Sequence, residues 1–133
     1  MLAAAGVLAL VIACGDGGAA PSDDPRVLEL GSVAENAVNG FRGGGPDLFL
    51  QWFSAEFRDR CLPGAFEQAL EEARTPASFV DLSGVKFDEG RAKVTVNLTD
   101  GAGAGYKEEW LFVEADQGGW YLDDIPAVTD CGR

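Results

Sequence analysis

Apolar residues between positions 27 and 73 recur at the spacing of α-helices. A first helix is predicted over residues 27–41, and the glycines and proline at 43–46 end it. A second helix is predicted from Asp47, whose side chain can cap it, to about Phe57. A third carries Phe66 and Leu70 on one side and stops before Pro76. The pattern therefore predicts three helices, each with one apolar side.

From Ser78 onward, apolar and polar residues alternate as in half-buried strands. Four strands are predicted, over residues 79–87, 91–99, 106–115 and 120–125. The first should be bulged near Ser83 and Gly84, and a tight turn at residues 88–90 should join it to the second. The expected fold class is α+β, with three N-terminal helices packed on a curved antiparallel sheet of about four strands.

The last two strands carry apolar side chains on both faces. In the third, Tyr106, Trp110 and Phe112 share one face, and Leu111 and Val113 share the other. In the fourth, Trp120 and Leu122 are predicted to face away from Tyr121 and Ile125. Helices on one side of the sheet can cover only one of these sets. The other needs a strongly bent sheet filled by the protein's own helices, a homodimer or protein-partner surface, or a ligand pocket. The candidate pocket or interface residues are Tyr106, Trp110, Phe112, Tyr121, Asp123 and Asp124.

The charge balance excludes several classes of function. The net charge is −12 and the chain contains no histidine. An acidic chain without a Lys/Arg cluster is a poor partner for nucleic acid and for anionic lipid. The absence of histidine removes the usual imidazole base and the commonest zinc ligand. Neither a metal nor a cofactor is expected, since the glycines at 101–105 also lack the lysine of a phosphate-binding loop.

The first fourteen residues form an uncharged apolar run that ends in Val11-Ile12-Ala13-Cys14. This run resembles the lipobox of bacterial lipoproteins, in which a peptidase cuts before the cysteine and a diacylglycerol is attached to its sulfur. It is too short to span a bilayer, which needs about 20 apolar residues. The resemblance implies a signal peptide at 1–13, a flexible tether at 14–25 and a domain at 26–133. The protein would then be extracytoplasmic, attached to the bacterial cell membrane through Cys14. A buried apolar helix with an incidental cysteine is the alternative.

The chain contains three cysteines. If Cys14 carries lipid, Cys61 and Cys131 remain as a pair, and a disulfide between them would persist in an exported protein. Two free thiols in a reducing compartment are the alternative.

The order of elements and the closing motif resemble a known family. Residues 109–113 (EWLFV), followed by GGWYLDDI at 118–125, resemble the last two strands of the nuclear transport factor 2-like superfamily, and especially its small bacterial lipoproteins. The resemblance covers residues 27–125 and implies a cone-shaped α+β fold. In that motif the tryptophan, here Trp120, packs in the core.

The same superfamily contains isomerases, cyclases and dehydratases that work from a concave pocket with an aspartate base. The resemblance makes Asp123 or Asp124, with Tyr106 or Tyr121, the candidates for such chemistry. Solvated carboxylates at a strand end are the alternative, and nothing in the spacing separates the two. We expect a lipid-anchored, non-enzymatic domain with a binding or assembly role; the competing prediction is an isomerase- or cyclase-like enzyme.

Overall fold

Four helices precede a four-stranded antiparallel sheet in the computed structural model, which describes Pro21 and residues 23–133. The helices are α1 (Pro25–Gly44), α2 (Pro46–Leu50), α3 (Ala55–Arg60) and α4 (Pro63–Glu71). The strands are β1 (Ser78–Asp88), β2 (Arg91–Thr99), β3 (Gly105–Glu114) and β4 (Trp120–Asp124), paired in the order β1-β2-β3-β4. A turn of 3-10 helix, Pro126–Val128, follows. The predicted α+β class and antiparallel sheet are confirmed.

The predicted signal peptide at 1–13, Cys14 and most of the tether lie outside the described residues. Helix α1 begins at Pro25, two residues before the apolar pattern predicts, because Asp24 caps it by accepting a hydrogen bond from the Arg26 amide at 2.8 Å. Pro25, assigned to the tether, therefore belongs to the helix. Among the described helices, none combines the length and the apolar character needed to cross a membrane.

The predicted second helix is wrong, because the chain forms two short helices in its place. Helix α2 ends at Leu50, and Phe53 then pairs in parallel with Leu122 of β4. The Leu122 amide donates to the Trp52 carbonyl at 2.8 Å, and the Ser54 amide donates to the Leu122 carbonyl at 2.7 Å. The Ser54 hydroxyl then caps α3 by accepting from the Phe57 amide. The helical count in the described residues is therefore four.

The predicted capping of the second helix by Asp47 is also wrong. The N-cap position of α2 is Gly45, which has a φ of 84° and offers no side-chain hydrogen bond. Asp47 is the second residue of the helix, in its first turn, where its negative charge interacts favourably with the helix dipole.

The first hairpin has the predicted form. Asp88 pairs with Arg91 around Glu89 and Gly90, which have positive φ values of 47° and 81°, as in the mirror-image turns that suit strand twist. The pairing register shifts between Ser83 and Val85, which confirms the predicted bulge. The even-numbered residues of β2 are buried and face the helices, as their alternation predicts.

The fourth strand contains a further irregularity that the alternation does not reveal. Phe112 pairs with Leu122, whereas Leu111 pairs with Asp124, so Asp123 is an extra residue on β4. A bulge of this kind reverses the side of every later residue. Ile125 consequently turns into the core, where it is 2% exposed, and the prediction that it shares a face with Tyr121 is wrong.

Aromatic rings fill the space between the helices and the sheet. The ring centroids of Phe53 lie 4.5 Å from Phe57 and 5.2 Å from Phe66, and Phe49 lies 5.8 Å from Phe66. Phe49 also reaches Trp110 of β3, with a centroid distance of 6.4 Å. All of these side chains are at most 1% exposed. The helix-covered face of the sheet is therefore closed by the protein's own side chains.

A disulfide joins Cys61, at the end of α3, to Cys131, with Cα atoms 5.3 Å apart. This is the pair that the cysteine count predicts. Cys61 is fully buried and Cys131 nearly so, and Arg60 donates a hydrogen bond to the Cys131 carbonyl at 3.0 Å. The C-terminus is thereby fastened to the helical layer.

Candidate functional site

Two of the six candidate residues lie inside the core. Trp110 is 0% and Phe112 1% exposed, and both point toward the helices from β3. The indole nitrogen of Trp110 donates to Glu108 Oε1 at 3.0 Å. These two side chains supply core packing and offer no exposed surface to a partner.

Tyr106 lies on the same face of β3, near its other end, and is half-buried. The guanidinium of Arg74 stacks 3.9 Å from its ring centroid and forms an ion pair with Asp100 at 2.8 Å. Burial, with a smaller contribution from the Glu108 charge, raises the pKa of Tyr106 to about 12. Its hydroxyl is buried without a hydrogen-bond partner among the described residues. Such a tyrosine stays protonated and makes a poor proton acceptor.

Glu108 is a partly buried carboxylate that the sequence did not single out. Burial raises its pKa, and the hydrogen bond from Trp110 opposes that shift. The alternation of β3 places residue 108 on the same face as 106 and 110, so the position could have been read from the sequence. Nothing in the sequence indicated that a charged residue there would be covered.

Asp123 and Asp124 are held by different partners. Asp123 accepts from the Ser54 hydroxyl at 3.2 Å and pairs with Arg91 at 3.0 Å. Asp124 accepts from the Thr129 hydroxyl at 2.7 Å, and its other oxygen is buried without a partner in the described part of the chain. The carboxylates are therefore engaged in local contacts.

The structure brings together only some of the predicted acid and tyrosine pairs. Tyr121 and Asp123 lie near each other on β4, on the face opposite the helices. Tyr106 is five residues along β3 from Leu111, the partner of Asp124, which corresponds to about 16 Å. Tyr106 therefore cannot share a small site with Asp124. In the described residues, no group of three or more metal-ligating side chains occurs.

A groove lies on the face of the sheet that the helices leave uncovered, near the β1–β2 turn. We call it the outer groove; it has a volume of about 430 Å³ and is lined by Lys86, Asp88, Arg91, Lys93 and Leu111, among others. Its charged side chains are exposed, and Leu111 is half-buried. Three cations around one apolar side chain form the candidate site.

The turn between β1 and β2 is a sequence signal for part of this groove. A two-residue turn at Glu89 and Gly90 fixes the hairpin register, so Lys86 must stand opposite Lys93. The alternation along β2 assigns its even-numbered residues to the helix-covered face of the sheet and its odd-numbered residues to the uncovered face. Placing Leu111 in the groove requires knowledge of the β2–β3 pairing register, in which it stands opposite Lys93. The loop at 101–104 does not fix that register.

The N-terminal end of the described domain lies at the same end of the sheet as this groove, on the helix-covered side. At the start of α1, the Arg26 guanidinium stacks 3.8 Å from the ring centroid of Phe87, which also lines the groove. The Phe87 ring in turn lies 5.7 Å from Trp120. Residues before Asp24 therefore join the domain at the same end as the outer groove.

Comparisons with models of protein families, with curated proteins and with solved structures give no match to this chain. Membership of the nuclear transport factor 2-like superfamily thus remains a prediction from the order of elements and the closing motif.

Proposed function

We propose that the protein is a lipid-anchored, extracytoplasmic, non-enzymatic domain with a binding or assembly role, built on the cone-shaped fold of the nuclear transport factor 2-like superfamily. The observation that carries the non-enzymatic part is the mutual packing of the Phe49, Phe53, Phe57 and Phe66 rings, with Phe49 also against Trp110. In the enzymes of that superfamily, the corresponding space between helices and sheet holds the substrate. Here large buried side chains occupy it.

The contacts of Asp123 support the same proposal. A catalytic base needs a carboxylate in a water-poor pocket, near the proton that it removes. Asp123 lies instead on the uncovered face, in an ion pair with an arginine whose side chain is 61% exposed. This open position, beside an exposed arginine, lacks the water-poor surroundings that a catalytic base requires.

The membrane attachment rests on the sequence run that ends in Cys14, and the position of α1 is compatible with it. Ten residues separate Cys14 from the helix cap at Asp24, which allows a span of at most about 35 Å. A composition of glycine, alanine, proline and acidic residues suits a flexible connection. The domain would therefore remain within one tether length of the bilayer surface.

Lipidation is tested by labelling expressing cells with a fatty-acid analogue and comparing wild type with Cys14→Ser. We expect label in wild type and none in the variant, because a hydroxyl cannot form the thioether. The variant Cys61→Ala with Cys131→Ala is the matched control and should keep its label. Equal labelling of Cys14→Ser would contradict the anchor.

The non-enzymatic role is tested by complementation of a deletion strain. Asp123→Asn should restore the phenotype as well as Asp116→Asn, a substitution in the exposed β3–β4 turn. An Asp123→Asn variant that melts like wild type and yet fails to complement, while Asp116→Asn succeeds, would favour the isomerase- or cyclase-like alternative.

A further inference from the structure

Two lysines face each other on the uncovered side of the sheet. Lys86 of β1 and Lys93 of β2 are directly opposite in the antiparallel ladder, and both are exposed. Within the described residues, neither forms an ion pair with a carboxylate. Like charges opposite each other destabilise a sheet. The chain has three lysines in all, the third being Lys107, so this juxtaposition uses two of the three.

The remaining charges of the outer groove do not cancel this pair. Arg91 is engaged by Asp123 at 3.0 Å, so its charge is largely offset. Asp88 is the acidic side chain in the lining, and it stands across the ladder from Arg91, two pairs further along than the lysines. Two ammonium groups are therefore left beside the half-buried Leu111, on a protein whose net charge is −12.

We propose that the outer groove binds one phosphoryl group between the side chains of Lys86 and Lys93. A phosphate monoester carries up to two negative charges and several acceptor oxygens, so it can satisfy both ammonium groups at once, whereas a carboxylate carries one charge. Lysine binds phosphate as a mobile point charge and needs no fixed fork geometry. The groove of about 430 Å³ also leaves room for an organic substituent on Leu111.

A second copy of the chain does not fit the same place. A two-fold contact centred on the outer groove would bring lysines of one copy against lysines of the other. The phosphoryl group belongs either to a soluble phosphate monoester or to the monoester headgroup of a phospholipid, and the start of α1 lies at the same end of the sheet as the groove, on the helix-covered side. The inference rests on the proposed binding role but not on the lipid anchor, which the labelling of Cys14 tests separately.

The arrangement of the lysines supplies an internal control for the experiment. Lys107 is exposed on the same face of the sheet, opposite Asn97. Asn97 is four residues from Lys93 along β2, about 13 Å. Asn97 donates to Asp81 at 2.6 Å, so the surroundings of Lys107 are polar and include a carboxylate. Lys107 should therefore not share a phosphoryl group with the other two.

The first test acetylates the full chain with an amine-reactive reagent and measures labelling of each lysine by mass spectrometry. One arm adds inorganic phosphate, with acetate at equal ionic strength as its control. The other adds vesicles that contain phosphatidic acid, whose headgroup is a phosphate monoester, with vesicles of phosphatidylglycerol, a singly charged phosphodiester, as its control. At a ligand concentration about four times Kd, labelling of Lys86 and Lys93 should slow about fivefold, with Lys107 unchanged.

Protection in either arm supports the site, and the arm identifies the source of the phosphoryl group. Three results would overturn the proposal: no protection in both arms, equal protection of Lys107, or equal protection by acetate and phosphate.

The second test measures the rise in melting temperature of the full chain on addition of inorganic phosphate. The double variant Lys86→Gln with Lys93→Gln should weaken phosphate binding at least about tenfold, because charge-assisted contacts are lost. The variant Lys107→Gln should behave as wild type. Without phosphate, the double variant should melt no lower than wild type, since the repulsion between the lysines is removed. A phosphate-dependent rise that survives in the double variant would overturn the proposal.

Discussion

Reduction of the Cys61–Cys131 disulfide should cost a large part of the stability of this domain. The two cysteines are 70 residues apart, so the bond closes a loop that contains α4 and all four strands. In the chain-entropy account, closing a loop of this length restricts the unfolded chain enough to stabilise the fold by about 4 kcal/mol. A domain of this size has a total stability of only about 5–15 kcal/mol.

The folded structure gives no reason for a smaller effect. Cys61 is fully buried and Cys131 is 9% exposed, so both sulfur atoms contribute to core packing in either redox state. The hydrogen bond from Arg60 to the Cys131 carbonyl can persist after reduction. Most of the change should therefore arise in the unfolded chain, which becomes free to separate its two ends.

The assay is urea unfolding followed by tryptophan fluorescence, with and without a phosphine reductant. For a denaturant slope of about 1.5–2 kcal/mol per molar urea, the midpoint should fall by about 2–3 M on reduction. The variant Cys61→Ala with Cys131→Ala should show no response to reductant and serves as the control. A difference below about 1 kcal/mol between oxidised and reduced wild type would refute the reasoning.

Three further predictions concern single side chains. Trp120→Ala should lower the free energy of unfolding by about 3–5 kcal/mol, because the indole is 5% exposed, and Tyr121→Ala on the uncovered face should cost less in the same urea titration. Burial raises the pKa of Glu108, so its stabilising contribution is present at low pH and is lost as pH rises through that pKa. Glu108→Gln should consequently gain stability over wild type as pH increases from about 4 to 7 in thermal melts, and a constant difference would contradict this. Asp123→Asn should cost less than about 1 kcal/mol, since its partner Arg91 is 61% exposed; a larger loss on urea unfolding would show that the pair is better shielded than its geometry indicates.

The local sequence pattern was sufficient to predict the first hairpin and the buried side of α1. The alternation from Ala92 to Leu98 identified which side of β2 is buried. The glycine at position 90 predicted the turn, and its φ is positive in the structure. The apolar stripe of α1 gave the buried side of the helix, and only its ends, residues 25–26 and 42–44, were missed. In these elements, each residue's environment is set by neighbours close in sequence.

The errors have a common origin in contacts between distant parts of the chain. The predicted second helix breaks at Phe53 because that residue pairs with Leu122. No local sequence pattern indicates this pairing. Ile125 was assigned to the wrong face because the bulge at Asp123 reverses the alternation of β4. The pairing of Lys86 with Lys93 follows from the two-residue turn and could have been predicted. The position of Leu111 in the outer groove could not, because the longer loop between β2 and β3 leaves their register open.

The short pairing between Phe53 and Leu122 has a consequence for how the molecule opens. It places a segment from the helical half of the chain in register with the last strand, through two backbone hydrogen bonds of 2.7 and 2.8 Å. The amide protons of Ser54 and Leu122 form those bonds, so neither can exchange with solvent while the two segments are paired. Since the disulfide secures the same region a few residues later, we expect these amides to exchange with deuterium only when the whole domain unfolds. The helical layer and the sheet should therefore unfold as one cooperative unit.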